Sequence, residues 1–129
     1  MNDSNQKLKI PETLIKTILD IARPLKYSSP SNLFYSGQTP IVAYLLLNGL
    51  VHFTKNGKVV GTFTRGSVIG LKELMTNSPI SVDAQILPGT EVCFIDRSTI
   101  LGILKESGQT PLKEFVQNLL NVDTTPNFT

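Results

Sequence analysis

The sequence predicts a mainly β domain, a double-stranded β-helix or jelly roll, with helices packed outside it at both ends of the chain. Three observations carry this. From Ile41 to Ile95 the chain reads almost entirely as short apolar or alternating strands separated by glycine-bearing turns. Within that stretch, Asn56-Gly57 lies between "LVHFTK" and "KVVGTFT". Such a pair is a strong hairpin signal, because a type I′ turn needs positive φ at both central positions. On either side of the stretch the apolar period changes from strand-like to helical.

Taken in order, Pro11 stands at the start of "PETLIKTILDIAR", which places Leu14, Ile15, Ile18, Leu19 and Ala22 on one helical face before Pro24 ends it. Short extended pieces follow at Leu25–Tyr27 and Leu33–Tyr35. Then come "VAYLLLN" running into Gly49, the hairpin, and "ISVDAQIL" joined through Pro88-Gly89 to "TEVCFID". A helix follows with Ile100, Leu101, Ile103 and Leu104 on its stripe and Asp96 or Ser98 as N-cap. Gly108 interrupts it. A last helix restarts at Thr110-Pro111 with the apolar face Leu112, Phe115, Val116, Leu119 and Leu120. These elements amount to one domain over residues 10–121, with flexible tails expected at 1–9 and 122–129.

Composition removes several function classes. A net charge of +2 from scattered lysines and arginines offers no electrostatic footprint for nucleic acid. No apolar run approaches membrane-spanning length, and no charged-then-apolar leader opens the chain, so the expected location is the cytoplasm. The single cysteine, Cys93, excludes an internal disulfide and reads as a small buried hydrophobe. The single histidine, His52, excludes a multi-histidine metal site and reads as a half-buried strand residue. No serine sits in a nucleophile elbow, and the carboxylates are dispersed, so an enzyme is not expected.

One stretch carries binding chemistry: "RGSVIGLKELMTNSPISVDAQ", Arg65 to Gln85. Gly66 and Gly70 precede a short helix, a polar turn and a strand. Gly70 can let a ligand approach the backbone, the amides of Leu71 and Lys72 start the helix, and Ser81 can add a hydroxyl at the next strand. The motif lacks the Gly-Lys-Ser/Thr ending of a P-loop. An anion cradle and a pair of plain tight turns both account for the glycines.

The stretch from "YLLLNG" through "NG", "GSVIG", Pro79 and Ser81 to "CFIDRSTI" resembles the cyclic nucleotide-binding domain, as found in catabolite-activator-type regulators, kinase regulatory subunits and gated channels. The similarity runs from about Leu14 to Leu120, with Gly37 matching the glycine of an early family turn. The resemblance implies a β-roll and a phosphate-binding cassette. In that cassette an acidic residue follows the second glycine and an arginine comes nine residues later; here those positions are Leu71 and Ile80. Hydrogen bonds to charged groups are worth ~1.5–3 kcal/mol each, so losing both should cost about two to four powers of ten in affinity. Arg65 and Lys72 are the nearby cations that could stand in.

The resemblance therefore implies a stand-alone regulatory or sensor domain with a degenerate cassette, without a DNA-binding domain, acting through protein–protein interaction. Two alternatives stand beside it: an atypical receptor for cyclic AMP, cyclic GMP or another small ligand, and a ligand-free scaffolding module. The candidate pocket is Gly70, Leu71, Lys72, Ile80, Ser81 and Val82, with no cofactor expected because of Leu71 and Ile80. The face Leu112, Phe115, Val116 and Leu119 is the candidate surface for a partner or a second copy, or it packs on its own roll.

Overall fold

A computed structural model describes residues 8–121. The tails expected at 1–9 and 122–129 fall outside the described residues except for Leu8 and Lys9. The element order is α1 (Glu12–Leu19), β1 (Pro24–Lys26), β2 (Ser31–Phe34), β3 (Val42–Asn48), β4 (Val51–Lys55), β5 (Lys58–Phe63), β6 (Val68–Ile69), α2 (Leu71–Thr76), β7 (Asp83–Ile86), β8 (Glu91–Asp96), α3 (Arg97–Leu104) and α4 (Pro111–Asn121). The strands form two four-stranded antiparallel sheets, ordered β1-β8-β3-β6 and β2-β7-β4-β5. This is the double-sheet roll with outer helices that the pattern predicts.

Two apolar layers explain the strand sequences. The inner layer lies between the sheets and holds Phe34, Tyr44, Leu46, Phe53, Phe63 and Val92. The outer layer lies between the first sheet and the helices and holds Ala43, Leu45, Cys93, Ile95, Ile100 and Val116. Strand β3 therefore has a buried neighbour on both faces, which is why "VAYLLL" is a continuous apolar run. Strand β4 is covered on one face only, so Val51 and Phe53 are buried while His52 and Thr54 are half-buried. The β4–β5 turn has positive φ at Asn56 and Gly57, 53° and 78°.

The ends of elements differ from the sequence reading in a few places. Helix α1 stops at Leu19, and the turn to Ala22 continues with hydrogen bonds back to Thr17 and Ile18, leaving Leu19 exposed. Leu101 is likewise exposed, because α3 turns only Ile100 and Ile103 fully inward. The strand expected from Ile80 begins at Asp83, and β6 pairs with β3 through Val68 and Ile69, a contact too short to show a period. Cys93 is fully buried, and burial pushes its thiol upward in pKa, as befits an inert core residue. No helix among the described residues is long and apolar enough to cross a membrane.

Two carboxylates tie the helices on. Asp96 caps α3 by accepting from the Thr99 amide (2.8 Å) and from the Ser98 hydroxyl (3.1 Å). Glu12 accepts from Arg65 through both oxygens, 2.9 and 2.8 Å. The Thr99 amide holds the Asp96 carboxyl below its ordinary range, and the Arg65 hydrogen bonds do the same for Glu12. Both groups thus bind protons less readily folded than unfolded. The stability they contribute is present above the unfolded value, near pH 4, and is lost as pH falls through the lower folded values. Thermal melts across pH are expected to show a midpoint falling below about pH 4, with a shallower acid slope in the Glu12→Gln/Asp96→Asn double variant.

Candidate functional site

The glycine-led stretch folds as a strap that leads from β6 in the first sheet through α2 to β7 in the second. Gly70 adopts φ 82°, a left-handed conformation, and serves as the N-cap of α2. The helix ends at Asn77, also left-handed, where the amides of Asn77 and Ser78 reach the Glu73 carbonyl. Arg97, the first residue of α3, donates from Nη2 to the Leu74 carbonyl in the last turn of α2. A cation at a helix C-terminus is electrostatically favoured there. The contact fastens the strap to the outer helices.

Beyond α2 the chain is held by the loop at 35–38. The Ile80 amide donates to the Gln38 carbonyl (2.9 Å), and the Gly37 amide donates to the Ile80 carbonyl (2.7 Å). Gly37 needs its φ of 92° to make that turn. The Ser36 amide donates to Asp83 Oδ1 (2.6 Å), and the Tyr35 amide to Gln38 Oε1 (2.8 Å). Ile80 is thus gripped by its own backbone on one side, which explains why it precedes the strand rather than joining it.

The six candidate pocket residues do not share one surface. Gly70 and Ile80 come together: a Cβ built on Gly70 would lie 3.8 Å from Ile80 Cδ1 and 3.7 Å from Pro40 Cγ. Ile80, 2% exposed, and Val82 belong to the inner layer of the roll. Leu71, 5% exposed, belongs to the outer layer instead. There it borders a void of about 20 Å³ together with Ile18, Leu45, Ile100, Val116 and Leu119. Lys72 is half-buried, and Ser81 is exposed, so its hydroxyl is not held inside the strap. Residues 71 and 80 therefore point into two different cores.

Glu73 is the residue that sequence reasoning passed over. Its helical position between Leu71 and Leu74 carries no burial signal, yet it is only 9% exposed. Arg65 is not turned toward the strap. Besides gripping Glu12 it donates from Nη1 to the Leu47 carbonyl (2.6 Å), so all of its forked head is engaged at the α1 side of the roll. The apolar face of α4 is also occupied: Leu112, Val116 and Leu119 are buried in the outer layer, with Phe115 and Leu120 packed against it. Among the described residues, no group of three or more His, Cys, Asp or Glu side chains could hold a metal ion.

Two four-stranded sheets joined through a glycine-led helical strap and flanked by helices make up a β-roll domain. The family model of the cyclic nucleotide-binding domain matches residues 24–107, and the chain belongs to that family. Three solved structures share the fold. The catabolite activator protein of Thermus thermophilus is 18% identical with a TM-score of 0.65, over 84% of this chain and 50% of that one. A regulatory subunit of a cAMP-independent protein kinase A from Trypanosoma brucei, solved as a triple mutant bound to cAMP in its A site, is 19% identical with a TM-score of 0.59, over 72% and 35%. A putative cyclic nucleotide-binding protein from Geobacter metallireducens is 17% identical with a TM-score of 0.61, over 84% and 80%. This chain spans half or less of the first two proteins.

Proposed function

We propose that this chain is a regulatory module of the cyclic nucleotide-binding family that works without holding a cyclic nucleotide, catalyses no reaction and acts through a protein partner. The observation that carries the proposal is the Ile80 side chain lying against Gly70, an apolar plug where a ligand's phosphate would need to approach the backbone. A phosphate placed beside Ile80 and Val82 would be desolvated against apolar side chains. Arg65, one of the two nearby cations that could stand in for the missing arginine, is engaged with Glu12 and Leu47.

The Trypanosoma protein supplies a second support. The substitutions in its cAMP-bound mutant replace a glutamate by alanine and, seven and eight residues later, a threonine by arginine and a valine by alanine. Glu73, Ile80 and Ser81 have that same spacing in this chain. Calorimetry with cyclic AMP and cyclic GMP tests the reading. The wild-type protein is expected to give no saturable heat at micromolar concentrations, and saturable binding there would overturn the proposal. The triple variant Glu73→Ala/Ile80→Arg/Ser81→Ala is expected to gain about one to two powers of ten in affinity, the worth of one charge-assisted arginine contact.

A further inference from the structure

The segment Lys16–Lys26 forms a surface unlike the rest of the molecule. Three large apolar side chains stand out within seven residues: Leu19, Ile21 and Leu25, exposed by 40%, 53% and 46%. An open groove of about 370 Å³ is lined by Leu19–Pro24, with Leu25 next in the chain. Arg23 lines the groove, and the cations Lys16 and Lys26 lie within a few residues of it in the chain, all three exposed. Arg23 and Lys26 make no ion pair among the described residues, and Lys16 acts only at a distance on Glu12. The opposing anions are Asp20 in the groove and Glu91, the cross-strand neighbour of Lys26.

We propose that this groove is the docking surface for an acidic amphipathic segment, a helix or loop, of a partner protein. The proposal deepens the reading of this chain as a module that acts through a protein, and it rests on that reading. Leu19, Ile21 and Leu25 supply apolar anchors, while Lys16, Arg23 and Lys26 outnumber Asp20 and Glu91 by one charge, an excess that favours acidic neighbours and disfavours a second copy carrying the same charges. Strand addition is not the mode. β1 lies at the edge of its sheet and is only three residues long, and it begins with Pro24, which lacks an amide to donate. The apolar face of α4, the other surface a partner could use, is already buried against the chain's own core.

The test uses fluorescence anisotropy with a labelled synthetic helix of about four turns, carrying leucines along one face and glutamates elsewhere. It is expected to bind the intact protein and to lose at least about tenfold on raising salt from about 0.05 M to about 0.5 M. The same helix with lysines in place of glutamates is expected to bind at least about tenfold more weakly. Ile21→Ser and Arg23→Glu, both at exposed positions, are expected each to weaken binding by about tenfold with an unchanged melting midpoint. Lys58→Glu, on the far hairpin, is expected to leave binding unchanged.

No binding of the acidic helix, equal binding of both helices, or full binding by the Ile21→Ser and Arg23→Glu variants would overturn the proposal. Adsorption to phosphatidylserine vesicles in place of the peptide would overturn it in favour of a lipid surface. A dimer in sedimentation that Ile21→Ser dissolves would overturn it in favour of self-association. Failure here leaves the cyclic nucleotide calorimetry untouched, so the two readings fail separately.

Discussion

Gly49→Ala is expected to destabilise the protein by about 2–5 kcal/mol, enough to lower its melting midpoint by on the order of 10 °C. Gly49 joins β3 to β4 with φ 85°, where an L-residue is strained. A Cβ there would also fall 2.6 Å from Thr90 Cα and 2.5 Å from Thr90 Oγ1. Thr90 has no room to give. It is fully buried, and its hydroxyl accepts from the Leu50 amide (3.2 Å) and donates to the Leu50 carbonyl (3.1 Å), locking the two connections together. The control is Gly57→Ala, which has a similar φ of 78° but open space around it. It should cost only the conformational part, about 1–2 kcal/mol. Chemical denaturation of both variants measures the difference, and equal losses would show that the close approach to Thr90 is unimportant.

Ile80→Arg is the second large effect, expected to cost about 3–5 kcal/mol in the absence of any anion. The side chain is 2% exposed and packs in the inner layer with Val82, so a guanidinium placed there would be desolvated and unpaired. Ile80→Val, which removes one methylene from the same place, should cost about 0.5–1.5 kcal/mol. Cyclic AMP is expected to raise the melting midpoint of the arginine variant and to leave that of the wild type unchanged, because a ligand stabilises only the state it binds. A variant as stable as the wild type would mean that position 80 opens to water and that the strap is not plugged.

Much of the roll is legible in the chain because its signals are local. Asn56-Gly57 declares a hairpin through the φ values it tolerates, and the structure has both residues at positive φ. The run "VAYLLLN" coincides with β3 to the residue. The final helix shows its apolar face by period alone, and Leu112, Val116 and Leu119 are buried as that period requires. Where the signals are weak, the reading slips. Two-residue β6 has no period to display, and Leu19 completes a helical face on paper that α1 does not extend far enough to bury.

The strap divides the two kinds of information most clearly. Its glycines, its turn and the absence of charge at Leu71 and Ile80 are properties of the residues themselves, and the glycines and turn are among the features by which the chain resembles its family. The direction of each side chain is not such a property. Leu71 faces the outer helices because α2 is fastened there by Arg97 and by packing against α4, while Ile80 faces the inner layer because Gly37 and Gln38 grip its backbone. Arg65 is drawn off to Glu12, more than fifty residues away in sequence. These are contacts between distant segments, formed only when both cores assemble, so no local pattern encodes them and only the folded chain decides them.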